Sequence, residues 1–356
     1  MNRTLKILIP IFIFISCNKD DRTVENETPT FISAVDISSY PEISNSNPIF
    51  YDLDGNEEDF LTILKDYGIN TVRLRIWINP IHGHSGYNEV KQFSNTLKTN
   101  GFKTWLSVHY SDTWADPSQQ KIPVQWEEID FTPLKDSVYN YTEKIMRELQ
   151  PDYIQIGNEI NHGFLHPYGH ISNSFEQFKE LMDTAIIAVR TNSNDTEIIL
   201  HYAGVEDSEW FFNQVSGLDY DVIGLSYYPI WHGKSLISLQ SAMQNLSSLH
   251  DKKIVIAETA YPFTLEWNDL TNNIVGLEEQ LILQEYPPTA QGQKDFIKHI
   301  RIMIKELEKA IGFCYWGAEL IAWKGNQSMD GSAWENQAIF DFNNKALPVL
   351  EEFRSE

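Results

Sequence analysis

From Phe31 onward the chain alternates short apolar runs with longer amphipathic stretches, and no other feature restricts its fold as much. The apolar runs are Ile32–Ile37, Thr71–Ile76, Lys103–Val108, Tyr153–Ile156, Glu197–His201, Val222–Ser226, Lys253–Ala257 and Gly312–Trp316. Each is short enough to be a buried parallel strand. The stretches Glu57–Tyr67, Tyr87–Asn100, Pro133–Leu149, Ser174–Asn192, Ser235–Leu249 and Gln291–Ala310 carry apolar residues at i, i+3, i+4 and i+7. Phe175, Phe178, Leu181, Met182 and Ala185 form one such helical face. Eight strand-to-helix repeats predict an α/β fold, a (β/α)₈ TIM barrel forming one domain over residues 31–356. An open doubly wound sheet would need a glycine-rich phosphate turn, and neither GxGxxG nor GxxxxGK[ST] occurs.

Residues 1–17 read as a leader and not as part of that domain. Arg3 and Lys6 precede a nine-residue apolar run, Ile7 to Ile15. A bilayer core takes about 20 residues to span, so this run has the length of a signal-peptide core. Phe14-Ile15-Ser16-Cys17 resembles a bacterial lipobox, which makes Cys17 the expected lipidation site and first mature residue. Residues 18–30 are polar, without periodicity, and read as a flexible tether. The expected location is outside the cytoplasm, lipid-anchored at a bacterial outer membrane or cell surface. Cys314 is the only other cysteine, so no disulfide is expected within the chain. The net charge of −23 argues against nucleic acid, whose phosphates it would repel, and the 13% aromatic content argues against disorder.

Polar residues appear abruptly where the apolar runs end, the position at which a barrel builds its site. The first run leads into Asp36, the second holds Arg73 and Arg75, and the third enters His109 to Pro117. The fourth ends in Gly157-Asn158-Glu159 and the seventh in Glu258. A carboxylate at the end of a buried strand is costly unless paired or solvated. Two of them, on opposite sides of a barrel mouth, can converge on one bond. At about 5–5.5 Å apart they would serve a retaining glycoside hydrolase, and at about 6.5–9.5 Å an inverting one. Asn158 can hydrogen-bond a sugar hydroxyl, and Arg73 can keep a nucleophilic carboxylate ionised. Asp36 and Arg73 also read simply as an ion pair at the barrel mouth. Trp77, Trp114, Tyr227, Tyr228, Trp231, Trp316, Trp323 and Trp334 fall in the same loops, where flat rings can stack on sugars. A metal hydrolase is the competing reading, but no HExxH and no HxH on a strand is present.

Asp36-Ile-Ser-Ser39, Arg73-Leu-Arg-Ile-Trp-Ile-Asn-Pro80, His109-Tyr-Ser-Asp-Thr-Trp-Ala-Asp-Pro117, Gly157-Asn-Glu-Ile160, Gly224-Leu-Ser-Tyr-Tyr-Pro229 and Glu258-Thr-Ala-Tyr-Pro262 occur in that order. Together they closely resemble the arabinogalactan endo-β-1,4-galactanases of glycoside hydrolase family 53, from Phe31 to the C-terminus. The resemblance implies a retaining barrel that cuts β-1,4-galactan internally, with Glu159 as general acid/base and Glu258 as nucleophile. It also implies that Asp36, Arg73, His109, Trp114, Asn158, Tyr227 and Trp316 orient the nucleophile or bind galactose; Trp231 joins them as a loop-face aromatic. No cofactor is implied for catalysis. Bacterial relatives often hold calcium in the loop after strand seven, which would make Asp269 and Asn273 hard oxygen ligands. The expected partner is galactan or the arabinogalactan side chains of pectin, met by a monomer. The alternatives are another retaining barrel acting on mannan, xylan or β-glucan, and a surface glycan-binding lipoprotein on an inactive barrel.

Overall fold

The computed structural model describes residues 31–354; Cys17 and the expected leader and tether lie outside them. In chain order the elements are β1 (Ile32–Asp36), α1 (Tyr40–Ser44), α2 (Phe60–Asp66), β2 (Thr71–Ile76), α3 (Tyr87–Thr99), β3 (Lys103–Val108), α4 (Phe131–Leu149), β4 (Tyr153–Ile156), α5 (Phe175–Asn192), β5 (Glu197–Ala203), α6 (Ser208–Gln214), β6 (Val222–Ser226), α7 (Pro229–His232), α8 (Leu236–His250), β7 (Lys253–Thr259), α9 (Ala290–Lys305) and β8 (Ala310–Trp316). All eight strands are parallel, each pairs with the next, and β8 closes on β1. This is the (β/α)₈ barrel that the alternation predicts.

Local chemistry sets the element ends. Asp59 accepts the Thr62 N–H and starts α2, three residues later than the apolar spacing alone implies. Ser235 and Thr289 cap α8 and α9 in the same way. Helix α9 stops at Lys305, short of the expected Ala310, because Ala310 already opens β8. The short helices α1, α6 and α7 were not marked by periodicity, since one or two turns do not show a repeat.

Closure depends on one glycine. Gly312 lies opposite Ile32 at the seam between β8 and β1, with φ of +149°. A Cβ there would sit 2.1 Å from the Ile32 carbonyl oxygen, so any side chain would force the seam apart.

Outside the sheet, a continuous apolar layer joins strands to helices; Val138 and Ile145 of α4 and Phe178, Leu181 and Met182 of α5 are fully buried in it. Inside the barrel is a separate, smaller cluster that includes Ala34, Trp105, Tyr153, Ile199, Val222, Val255 and Cys314. Side chains alternate along a strand. The residues two positions further on therefore face the same interior, one layer nearer the C-terminal mouth: Asp36, Ser107, Gln155, His201 and Trp316.

Candidate active site

The mouth is organised around Arg73, which is 1% exposed. Its Nη1 lies 2.7 Å from Asp36 Oδ2 and its Nη2 lies 2.8 Å from Glu258 Oε1. The same guanidinium donates to Asn158 Oδ1 at 2.8 Å and to Gln155 Oε1. Asp36 is fixed in turn by the backbone N–H and hydroxyl of Ser38. One buried cation thus holds two carboxylates and two side-chain amides.

Glu258 reaches this position through an irregularity in β7. Leu225 of β6 pairs with Ile256, but the next residue, Ser226, pairs with Glu258. The extra residue, Ala257, forms a bulge that aims Glu258 inward. Its second oxygen accepts the Tyr228 hydroxyl at 3.1 Å. Burial raises the Glu258 pKa, and Arg73 opposes that rise. Glu258 is therefore the carboxylate of the pair that the site keeps ionised.

Glu159 has a different setting. It follows the Gly157 turn with a φ of +46°, a conformation that a non-glycine residue adopts only when its surroundings impose it. Its Oε1 accepts the Ser226 hydroxyl at 2.5 Å, and among the described residues no cation pairs with it. Burial raises its pKa, the Glu258 charge raises it further, and the Ser226 hydrogen bond pulls it down. Two carboxyl groups with opposed environments, one cation-paired and one isolated, form an acid/base pair. Both line a single cleft of about 540 Å³ with Asp36, Arg73, His109 and Asn158.

Residues 32–353 match the model of glycosyl hydrolase family 53. The chain belongs to that family. The arabinogalactan endo-β-1,4-galactanase of Cellvibrio japonicus (strain Ueda107) is 32% identical, over 99% of this chain and 97% of the relative. The solved catalytic domain of family 53 from Ignisphaera aggregans is 37% identical with a TM-score of 0.86, covering 93% of this chain and 97% of that one. A structure from a study of two fungal β-1,4-galactanases superposes with a TM-score of 0.79 at 26% identity, over 92% and 99% of the two chains.

The rim of this family 53 hydrolase is aromatic. Trp77, Trp114, Trp316, Trp334 and Trp231 form a contiguous series with centroid separations of 4.5 to 6.1 Å. Trp114, Trp316, Trp334 and Trp231 line the cleft, and Trp231 is 53% exposed. The Arg75 guanidinium sits 4.9 Å from the Trp77 ring centroid and 4.3 Å from that of Trp114. His109 Nδ1 accepts the Trp77 indole N–H and the Ala115 backbone N–H, which leaves Nε2–H as its free donor. Burial, together with Arg73 and Arg75, holds His109 far below its ordinary pKa, so the ring is neutral. Asn158 is more committed than its sequence position implies: it accepts from Arg73 and donates to the Ala115 carbonyl.

Tyr227 is not in the cleft. Its ring is fully buried and its hydroxyl donates to the Gly233 carbonyl. Ser226 points inward, so Tyr227 must point outward, and Tyr228 takes the place expected for Tyr227. The period-two pattern Val222, Gly224, Ser226, Tyr228 carries this information. The same pattern would have marked Gln155 and His201, which the sequence reading did not single out. Glu319 was also missed as a site-adjacent acid. It is buried, its Oε1 accepts the Ser39 N–H at 2.8 Å, its Oε2 has no partner, and burial pushes its pKa up to about 8.

Calcium at Asp269 and Asn273 is not shown. Both oxygens of Asp269 accept backbone N–H groups, Oδ1 from Thr271 and Oδ2 from Ser332. Asn273 Nδ2 donates to the Glu266 carbonyl, and among the described residues its buried Oδ1 has no hydrogen-bond partner. Among the described residues, no group of three or more His, Cys, Asp or Glu is placed to hold a metal ion, whereas calcium takes six to eight oxygen ligands. Asp269 instead ties the loop after β7 to the loop after β8. Glu335 reinforces the tie by accepting the N–H groups of Asn268 and Asp269.

Proposed function

We propose that this family 53 enzyme hydrolyses β-1,4-galactosidic bonds within galactan and arabinogalactan chains by a retaining double displacement. The observation that carries the reading is the asymmetry of the two cleft carboxyls. Glu258, held by Arg73 and Tyr228, attacks the anomeric carbon, while Glu159, isolated and buried, protonates the departing glycosidic oxygen. The galactosyl ester on Glu258 is then hydrolysed by water that Glu159 deprotonates. The two glutamates supply all the proton transfer and nucleophilic attack in this scheme, so no cofactor enters it. Asp36, Arg73 and Asn158 hold Glu258 in line, the Nε2–H of His109 meets a sugar hydroxyl, and Trp114, Trp231 and Trp316 stack on the rings. The relatives named as galactanases support the linkage, and the acidic chain favours a neutral polymer over a polyanionic one.

A reducing-end assay of the purified protein on β-1,4-galactan, mannan, xylan and β-glucan tests this. The expected result is a ladder of short galacto-oligosaccharides from galactan alone. Glu258→Ala should abolish turnover and still bind galactan; an active Glu258→Ala would overturn the assignment. Independently of that reading, residues 1–17 lead us to propose a location outside the cytoplasm on a lipid anchor at Cys17, supported by the apolar run before it. Cys17→Ser should then lose incorporation of a labelled fatty acid.

A further inference from the structure

The floor of the cleft contains a hydrogen-bond chain that runs from Arg73 through Gln155, His201 and Ser226 to Glu159. It starts at Arg73, which can only donate, so Gln155 Oε1 must accept from it. Gln155 Nε2 therefore faces the other way, where Ser107 Oγ, the Gly157 carbonyl, Asn158 Oδ1 and His201 Nδ1 all lie within 3.0 Å of it. The backbone N–H of Glu159 also points at His201 Nδ1, at 3.4 Å. Asn158 Oδ1 lies 3.2 Å from the same nitrogen, but the backbone N–H of Glu159 is directed at it, which assigns Nδ1 as the bare nitrogen and the hydrogen to Nε2. His201 Nε2 lies 2.8 Å from Ser226 Oγ and donates to it. The Ser226 hydroxyl is left to donate to Glu159 Oε1 at 2.5 Å. Gln155, His201 and Ser226 are each 0% exposed, so water cannot substitute for any of them. Burial and the nearby Arg73 charge keep His201 neutral, which preserves the tautomer.

We propose that Ser226, oriented by His201 and Gln155, is a positioning residue that equips Glu159 for the basic half of its cycle. This rests on the acid/base reading of Glu159 given above. A buried carboxyl beside Glu258 holds its proton well and makes a serviceable acid. In the second step Glu258 is esterified and uncharged, so the obstacle to Glu159 acting as a base is the desolvation of its ionised form. Among the described residues the Ser226 hydroxyl is the side-chain hydrogen-bond donor to that ionised form, with the Arg73 charge acting at longer range. In the second step a water oxygen bonds to the anomeric carbon, the bond from that carbon to Glu258 breaks, and the water proton passes to Glu159. Losing the Ser226 donor should slow this step most.

The test is Ser226→Ala, a small truncation whose folding is checked by thermal melting. A charge-assisted hydrogen bond of this kind corresponds to roughly one pK unit. The alkaline limb of kcat/KM on galactan should therefore move up by about one pH unit. On an aryl galacto-oligosaccharide with a good leaving group, which needs no acid for the first step, kcat should fall about tenfold. KM should fall with it and a burst should appear as the glycosyl-enzyme accumulates. Azide, which attacks the ester without a base, should restore the rate, and Ser226→Thr, which keeps the hydroxyl, should restore the pH profile. A Ser226→Ala enzyme whose alkaline limb does not move, or whose kcat falls with no burst, overturns the proposal. Glu159→Ala separates the two readings. If Glu159→Ala is slow on the aryl substrate and rescued by azide while Ser226→Ala behaves as wild type, the acid/base assignment stands and the role of Ser226 falls. If Glu159→Ala loses nothing, the assignment itself falls.

Discussion

The interior of the barrel changes character half-way along its axis, and the two halves are built on the same strands. Ala34, Trp105, Tyr153, Ile199 and Cys314 form the lower layer, packed against one another without charge. Two residues further on, Asp36, Ser107, Gln155, His201 and Trp316 form the upper layer, and the first four are joined to Arg73, Asn158 and Glu258 by hydrogen bonds and ion pairs. Burial of the lower residues contributes about 25 cal/mol for each Å² of apolar surface removed from water. The upper layer has no comparable source of stability, because taking a guanidinium and two carboxylates out of water costs about as much as their attraction returns. The lower layer holds the barrel together, and the upper layer keeps ions dry and oriented so that Glu258 can attack.

The largest effect that separates the two layers should come from Arg73→Met. Asp36 and Glu258 would be left as neighbouring buried acids with no cation between them. A broken buried pair costs roughly 3–5 kcal/mol. Denaturant unfolding should report a loss of that order, and kcat/KM should fall by at least about a thousandfold, since Glu258 would take up a proton. A variant that retained a tenth of the activity would show that Arg73 is a structural ion-pair partner only. Ile199→Ala is the matching cut in the lower layer, directly beneath His201 on β5. It removes a fully buried side chain and should cost about 2–4 kcal/mol. Its kcat on galactan, measured well below its melting temperature, should stay within about threefold of wild type. A larger kcat loss would mean that the layers are mechanically linked and that the division between them is too sharp.

The lower layer and the barrel were legible because they follow from period: eight apolar runs, alternation within each, and helical spacing between them. Asp36, Arg73, Glu159 and Glu258 were legible because a charged residue at the end of an apolar strand is conspicuous. Three parts of the site were hidden for distinct physical reasons. Tyr228 was displaced by Tyr227 because a one-residue parity decides which ring faces inward, and adjacent tyrosines look alike until the inward row is traced. The inward aim of Glu258 depends on the bulge at Ala257. Regular alternation from Val255 would have put Ala257 inward and Glu258 outward; the bulge leaves Ala257 in the inner cluster and brings Glu258 inward after it. The role of Asp269 in tying two loops together was hidden because the Ser332 N–H that its Oδ2 accepts lies 63 residues away in the sequence.

Glu319 offers the finest test, because it belongs to neither layer: it sits behind Asp36 as a buried acid with one oxygen on the Ser39 N–H and the other unpartnered. Its pKa stands at about 8 against an ordinary 4.5, and burial is the main cause. The sign of the linkage follows directly. Between about pH 4.5 and 8 the folded protein holds this proton and the unfolded chain has lost it, so this group's contribution to stability declines as pH rises through that window. Glu319→Gln keeps the carbonyl acceptor for Ser39 and removes the titration. At pH 4.5 the two proteins should melt together. By pH 8 the variant should be more stable than wild type by about 2 kcal/mol, a fraction of the full shift because the surroundings relax around the ion. Its kcat at pH 6 should remain within about twofold of wild type, since Glu319 is not among the residues that line the cleft. A stability gap that stays constant across pH 4.5–8 would show that Glu319 is ionised in the folded protein, which would place a third buried negative charge beside Asp36 and Glu258 and assign Arg75 a share in balancing it.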